Sequence, residues 1–437
     1  MRARYLLIVG FLVLLAAAYW VGRMTHPNGL DPRIRTGWHQ PLRQPDRIVL
    51  TWAGDPATTQ AVTWRTSTEV KNAVAEITLA DDGPKFPELA QSHNAASEDF
   101  ESDLGVARYH SVRFERLLPD TQYVFRVGDG EVWSEWNQFR TMKSETAPLK
   151  FLYVGDAQNN IFSMWSRLVR EAYSKAPDAS FFIHAGDLIN TANRDAEWGE
   201  WCQASGWIHR KLVAMPSPGN HEYGKIEDGT RELSRHWRPQ FTLPENGLPG
   251  LEETTYWLDI QGVRVVTLNS NRNQAEQAEW LDGVLADNPN RWTVVTHHHP
   301  IFSASEGRDN PELRETWQPI YDKYKVDLVL QGHDHTYARS NVTTGATVQE
   351  GEAGTVYVVS VSGPKMYELE REDWMARAAE DTQLFQVVSI DGDVLRYSSY
   401  TARGLLYDGF ELHKRDDAPN EIVNLEPAMP ERLRSAE

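Results

Sequence analysis

LKFLYVGDAQ at residues 149–158 and ASFFIHAGDLIN at 179–190 are built alike: an apolar run of strand length stops at a glycine, and an aspartate follows. Between them SMWSRLVREAYSKA (163–176) has the apolar spacing of an amphipathic helix, so the segment reads as strand, helix, strand. The rhythm continues through VRVVTLNS (263–270), QAEQAEWLDGVLAD (274–287), RWTVVTHHH (291–299), PELRETWQPIYDKY (311–324) and VDLVLQGHDH (326–335). Such alternation predicts an α/β domain with helices packed on sheets, placed at residues 148–412. Asn310 is the expected cap of the last helix, with Pro311 at its first position. Beyond Gly351, TVYVVSVSG, LFQVVSIDGD and VLRYSSYTA return to strand pattern and are expected to complete a second sheet. The tail at 413–437 is polar, and from about Asp416 it is expected to fray.

Upstream, at 46–143, the pattern is different. RIVLTW, QAVTWRT, AVAEITLA, YHSVRFERL, YVFRVGD and WNQFRTM are short β-type runs, punctuated by turns at Asp55-Pro56, Asp82-Gly83 and Asp129-Gly130. The pairs Val62/Trp64 and Val124/Arg126 fit half-buried antiparallel strands, so this part reads as an antiparallel β-sandwich without a catalytic cluster. RLLPDTQYVFRVG (116–128) resembles a strand and turn of fibronectin-type-III-like modules, with Tyr123 where a tyrosine corner would sit.

The chain has 437 residues and a formal net charge of -18, a field that repels nucleic acid and anionic lipid. A phosphate substrate would need local positive charge, which bound metal ions supply. The single cysteine, Cys202, excludes an intramolecular disulfide framework and a Cys-rich zinc site. Residues 1–25 pair Arg2 and Arg4 with an apolar run from Tyr5 to Val21, the build of an export signal. A cleaved signal peptide, with Ala16-Ala17-Ala18 as the cleavage site, and a retained membrane anchor both fit; each brings this segment to the membrane or the export machinery and places the bulk of the chain outside the cytoplasm. Residues 26–45 read as a linker.

The chemistry lies at the ends of the apolar runs. Asp156 follows FLYVG, Asp187 follows FFIHAG, Asn220 and His221 follow MPSPG, His298 follows VVTH, and His333 and His335 follow LVLQG. The carboxyl ends of parallel strands share one edge of an open sheet, so these groups are expected to converge. Carboxylate, amide oxygen and imidazole together suit divalent zinc, manganese or iron and disfavour a calcium cage. Two ions sharing Asp187 would clamp the attacking and leaving oxygens of a phosphoryl displacement.

GDAQ, GDLIN, GNHE, THHHP and GHDH, in this order, resemble the five motifs of the calcineurin-like metallophosphoesterases, and the preceding β-sandwich makes the layout similar to that of purple acid phosphatases. The resemblance covers roughly residues 45 to 410 and implies a two-sheet α/β sandwich of the metallophosphoesterase type. It implies that Asp156 and His335 ligate a first metal, that Asp187 bridges, and that Asn220, His298 and His333 hold the second. His298 is taken for its place two residues before Pro300; His297 and His299 compete for the assignment, and strand alternation turns them away. His221 is implied as a catalytic group facing the substrate, able to stabilise phosphoryl oxygens or protonate the leaving alkoxide. The reaction implied is hydrolysis of phosphate monoesters through a metal-bound hydroxide at a dinuclear site, with two divalent or trivalent ions of iron, zinc or manganese. A phosphodiesterase on the same core and a surface-binding protein with a vestigial site are the alternatives.

Two departures stand out. Asn190 holds the place of the tyrosine that colours purple acid phosphatases, and Gln158 replaces the histidine of the wider superfamily's DxH motif. The first metal is then completed by Gln158, Asn190 or water, and a colourless site preferring divalent ions is expected. Arg308 and Asp309 lie where the family places substrate contacts, and an arginine suits phosphate, though a solvated loop arginine reads equally well. Tyr223 and Tyr337 are expected to pack, and His184 to be a hydrogen-bonded core histidine. Asn341-Val342-Thr343 matches a glycosylation sequon.

Overall fold

The computed structural model describes residues 39–340 and 352–434; the segment expected to act as an export signal and the sequon lie outside these residues. From Pro41 onward the chain forms one compact unit. Among the described residues no helix is long and apolar enough to cross a membrane.

The N-terminal part is a β-sandwich. Its strands are β1 (Asp46–Thr51), β2 (Gln60–Thr66), β3 (Val74–Leu79), β4 (Gln91–Asn94), β5 (Ala96–Ser102), β6 (Gly105–Phe114), β7 (Gln122–Gly128) and β8 (Asn137–Arg140). They pair as β1-β2-β6-β5 and β4-β3-β7-β8, all antiparallel. Tyr123 closes the expected corner, its hydroxyl accepting the Leu118 N–H at 2.8 Å. β2 departs from the half-buried expectation, since all seven of its residues are buried. Its second face is covered by the α/β part: the Thr63 hydroxyl donates to the Gln240 carbonyl (2.7 Å), and Arg65 reaches Asp195 (3.2 Å).

Downstream run β9 (Leu149–Val154), α1 (Ser166–Lys175), β10 (Phe181–Ala185), α2 (Asp195–Ser205), β11 (Val213–Ser217) and a short hairpin of β12 (Tyr223–Lys225) and β13 (Arg231–Leu233). Next come β14 (Tyr256–Ile260), β15 (Val263–Thr267), α3 (Gln274–Ala286), β16 (Trp292–Thr296), α4 (Pro311–Tyr324), β17 (Leu328–Gln331) and β18 (Tyr337–Ser340). The remaining strands are β19 (Glu352–Ala353), β20 (Val356–Val359), β21 (Met375–Ala379), β22 (Leu384–Asp391), β23 (Val394–Thr401), β24 (Leu406–His413) and β25 (Asn420–Asn424).

Two sheets result, ordered β11-β10-β9-β22-β23-β24-β25-β19 and β14-β15-β16-β17-β20-β18-β21. The strand-forming runs after Gly351 therefore divide: β20 joins the second sheet, while β22 and β23 extend the first. β9, β10 and β11 run parallel, as do β15, β16, β17 and β20, which gives each sheet one edge where carboxyl ends collect. β16 and β17 are buried along their whole length, which explains their unbroken apolar sequence.

Two local expectations are corrected. Asn310 occupies the cap position of α4 but makes no side-chain cap; its amide donates instead to the Pro300 carbonyl at 3.0 Å. As far as Arg434 the polar tail is held rather than frayed. β25 pairs with β24, Arg432 N–H donates to the Tyr407 hydroxyl (2.9 Å), and Glu431 accepts the Ala378 N–H (2.8 Å).

Candidate metal centre

Every residue of the cluster stands just past the end of a strand. Asp156 leaves β9, Asp187 leaves β10, Asn220 follows β11, His298 follows β16, and His333 and His335 follow β17. Four of them, Asp156, Asp187, His333 and His335, have positive φ (46°, 51°, 77° and 51°). That backbone region costs a non-glycine residue roughly 1–3 kcal/mol, so the fold holds these side chains against local preference. The glycines beside them serve close approach. A Cβ on Gly219 would fall 2.2 Å from Asp187 Oδ1, and one on Gly332 would fall 2.3 Å from Asp156 Oδ2.

Two groups of donors, Asp187, His298, His333 and Asp156, Asp187, His335, each bring one ligand atom per residue within 4.8 Å of the others, and Asp187 belongs to both. His298 Nε2 lies 3.3 Å from Asp187 Oδ2 and 3.1 Å from Asn220 Oδ1, while His333 Nδ1 lies 2.9 Å from the same Asn220 oxygen. On the other side His335 Nε2 is 3.5 Å from Asp156 Oδ1 and 3.0 Å from Gln158 Nε2. The backbone carbonyls of Ala185 and Lys365 accept from Nδ1 of His298 (2.9 Å) and His335 (2.8 Å), which turns each Nε2 toward the cluster.

The charges are crowded. Burial pushes Asp156 well above the usual carboxylate range, and nearby Asp187 adds to this, while His298 opposes it. Burial works the same way on Asp187, but the His298 charge and hydrogen bonds from His298 and His221 hold it low. His298 loses basicity to burial and regains more from Asp187, reaching about 9. Two buried carboxylates drawing a proton onto an imidazole is an arrangement that cations relieve. The donor set fits metals in a second respect: Gln158 Oε1 is buried without a hydrogen-bond partner, and its amide end stands between Asp187 (2.8 Å) and His335. Rotating that amide turns the oxygen toward the cluster.

The other expected residues are placed as follows. His221 donates its backbone N–H to Asp187 Oδ1 (2.9 Å), holds Nδ1 2.5 Å from the Asn190 carbonyl, and keeps a side chain 26% exposed at the mouth of the cluster. Asn190 directs its amide to Thr191 (3.4 Å), so its contact with the site runs through its carbonyl. Arg308 donates to the His333 carbonyl (3.2 Å) and stacks 4.6 Å over Tyr367, whose ring is 4.6 Å from that of His335. Asp309 is turned aside into a bidentate pair with Arg314. Tyr223 and Tyr337 are buried and bond Asn269 and Asp408.

His297 turns away onto Trp317 and Tyr321. His299 does not; its ring stays 4.3 Å from His333 and bonds Ser270, because the chain has left β16 and alternation no longer applies. His184 is buried, but neither ring nitrogen has a hydrogen-bond partner; aromatic neighbours Trp201 (5.3 Å) and His209 (5.0 Å) surround it, against the hydrogen-bonded expectation. One residue went unassigned in the sequence. Glu222, the final letter of GNHE, is fully buried and accepts N–H groups from Asp187, Leu188 and Gly219 at 2.7–2.8 Å, tying the turn after β11 to the turn after β10. A glutamate following Asn-His at a strand end was the available signal.

Residues 45–141 match the family described as purple acid phosphatase, N-terminal domain, and residues 149–337 match the calcineurin-like phosphoesterases. This chain is a phosphoesterase of the purple-acid-phosphatase kind. Human acid phosphatase type 7 is 26% identical over 332 residues, which is 68% of this chain and 71% of that protein. Probable purple acid phosphatase 20 of Arabidopsis thaliana is 28% identical over 237 residues, 51% of this chain and 53% of its own length. A purple acid phosphatase from yellow lupin seeds shares the fold, with a TM-score of 0.70 at 19% identity over 84% of this chain and 74% of that one. The family is a class of dinuclear metal enzymes, in keeping with the two ligand groups joined at Asp187.

Proposed function

We propose that this phosphoesterase hydrolyses phosphate monoesters at a dinuclear centre in which Asp156, Gln158, Asp187 and His335 hold one ion and Asp187, Asn220, His298 and His333 the other. The observation that carries this reading is the sharing of Asp187 between two donor groups, each with its atoms within 4.8 Å. When bound, the two cations supply Lewis acidity and an activated water at near-neutral pH. His221, fixed at Nδ1 by the Asn190 carbonyl, presents Nε2 to the leaving oxygen, to which it gives a proton. The half-exposed guanidinium of Arg308 orients the phosphoryl group from the His333 side. With Asn190 in place of tyrosine, the phenolate that colours the family is missing from its position, so the loaded protein is colourless and takes divalent zinc, manganese or iron. The basic and apolar N-terminus supports export, with the enzyme outside the cytoplasm and its first segment at the membrane or the export machinery.

The test is Asp187→Asn on protein of measured metal content, assayed with an aryl phosphate and a bis-aryl phosphate. The expected outcome is loss of bound metal together with a fall in turnover of at least a hundredfold on the aryl phosphate. Retained activity with intact metal content would refute the assignment, and a faster rate on the diester would replace the monoesterase reading with a phosphodiesterase one.

A further inference from the structure

A cavity of about 290 Å³ lies beside the loop that supports the metal centre, and its chemistry differs from that of the centre. Arg167, from α1, and Arg403 and Arg432, from the β23–β24 turn and the tail, stand on its wall. All three are exposed, and among the described residues none of their guanidiniums has a hydrogen bond or ion pair. In a chain of net charge -18, three unmatched arginines around one hollow are a local reversal of the overall field. Asp381, the lining carboxylate, is already bidentate with Arg434 at 3.0 Å on both oxygens, although it also feels the charge of Arg432.

The rest of the wall combines the polar Thr382, Gln383 and Thr401 with apolar side chains. Met366 and Met429 are half-buried, and Met164 and Leu405 are 40% and 38% exposed, two of the larger apolar side chains left facing solvent. Flexible thioether side chains adapt to irregular apolar shapes. The hollow also touches the loop of the metal centre: Pro364 and Met366 flank Lys365, whose carbonyl accepts from His335 Nδ1, and Gly363 N–H donates to the Asp156 carbonyl at 2.8 Å.

We infer that this hollow binds a small anionic amphiphile, a phosphate, sulfate or carboxylate headgroup on a short apolar chain, at a site separate from the metal centre. The arginines take the headgroup through charge-assisted hydrogen bonds, and Met164, Met366, Met429 and Leu405 cover the chain. A concave cavity of this size suits a dispersed molecule rather than a flat bilayer. The inference stands whether or not the metal centre is a monoesterase.

Titration calorimetry of the metal-loaded full chain with hexyl sulfate tests it, because a sulfate ester offers the headgroup and the chain together. One-to-one binding at least tenfold tighter than that of inorganic sulfate is expected. Arg167→Gln with Arg403→Gln weakens it tenfold or more while aryl phosphate hydrolysis in the absence of probe is unchanged, and Met164→Ser with Leu405→Ser removes the advantage of the chain. Asp187→Asn leaves hexyl sulfate binding intact. Equal binding by wild type and the arginine variant, or loss of binding in Asp187→Asn, overturns the inference. So does arginine-dependent flotation with phosphatidylglycerol vesicles without binding of hexyl sulfate, which would assign the patch to a membrane surface.

Discussion

Replacing Asp195 with alanine should be among the most damaging single changes away from the metal centre. Asp195 opens α2, its side chain is 2% exposed, and it accepts hydrogen bonds from Arg47 at 2.6 and 2.7 Å and from Arg65 at 3.2 Å, with His236 Nε2 also at 3.2 Å. The two arginines come from β1 and β2, so this carboxylate joins the sandwich to the α/β part. Burial works against its charged form, but Arg47, Arg65 and His236 more than compensate and hold it below the usual carboxylate range. The loss is unequal between the arginines. Arg65 keeps Asp46 at 2.7 Å, whereas Arg47 is left buried with only neutral hydrogen-bond acceptors, the Tyr109 hydroxyl (2.8 Å) and the backbone carbonyl of residue 195 (3.1 Å). Removing one member of a buried pair costs about 3–5 kcal/mol, and replacing both members with apolar residues of similar size is often close to neutral. Urea unfolding followed by tryptophan fluorescence should place Asp195→Ala about 3–5 kcal/mol below wild type, with Arg47→Met/Asp195→Leu recovering most of the difference. A loss under about 1 kcal/mol for the single variant, or a double variant no better than the single, would refute the argument that an uncompensated Arg47 is the cause.

Other outcomes follow from the same structure. Burial lowers His110 to about 4 and His209 to about 3, so folded chains resist protonation that unfolded chains accept near pH 6.5. Their contribution is fully present above that pH and is lost as pH falls toward 4, up to about 3 kcal/mol for His110. The urea midpoint should drop between pH 7.5 and 5, and His110→Gln should flatten that drop. Gly332→Ala, whose Cβ would meet Asp156 Oδ2 at 2.3 Å and the Ala185 carbonyl at 2.8 Å, should fold but retain less than half the bound metal of wild type by elemental analysis. Glu222→Gln presents an amide N–H₂ to a nest of backbone donors; a cost of about 1–3 kcal/mol and a tenfold or greater fall in kcat are expected, and an unchanged kcat would show that this carboxylate does not position Asp187.

Much of the site was legible because its parts are local. GDAQ, GDLIN, GNHE, THHHP and GHDH each place a donor directly after an apolar run, and the change from short alternating runs to strand-helix repeats near Pro148 separates the sandwich from the α/β part. Glycine beside aspartate can be read in sequence, but its reason cannot: Gly219 is small because Asp187, from a different turn, sits against it. Choosing among His297, His298 and His299 by strand alternation succeeded for His297 and failed for His299, since β16 ends at Thr296 and the period of two ends with it. β2 was read as half-buried because its sequence cannot show what will cover its second face.

What the sequence determined by itself is the set of donors, their order, and the strand ends that carry them, because periodicity and turn chemistry are properties of neighbouring residues. Only the tertiary structure decided that β9, β10 and β11 of one sheet and β16 and β17 of the other bring those ends together around Asp187, that Gln158 rather than Asn190 directs its amide into the cluster, and that the polar tail is tied to β24. Those outcomes rest on pairing and packing between segments far apart in the chain, where free energy is set by contacts that no local pattern encodes.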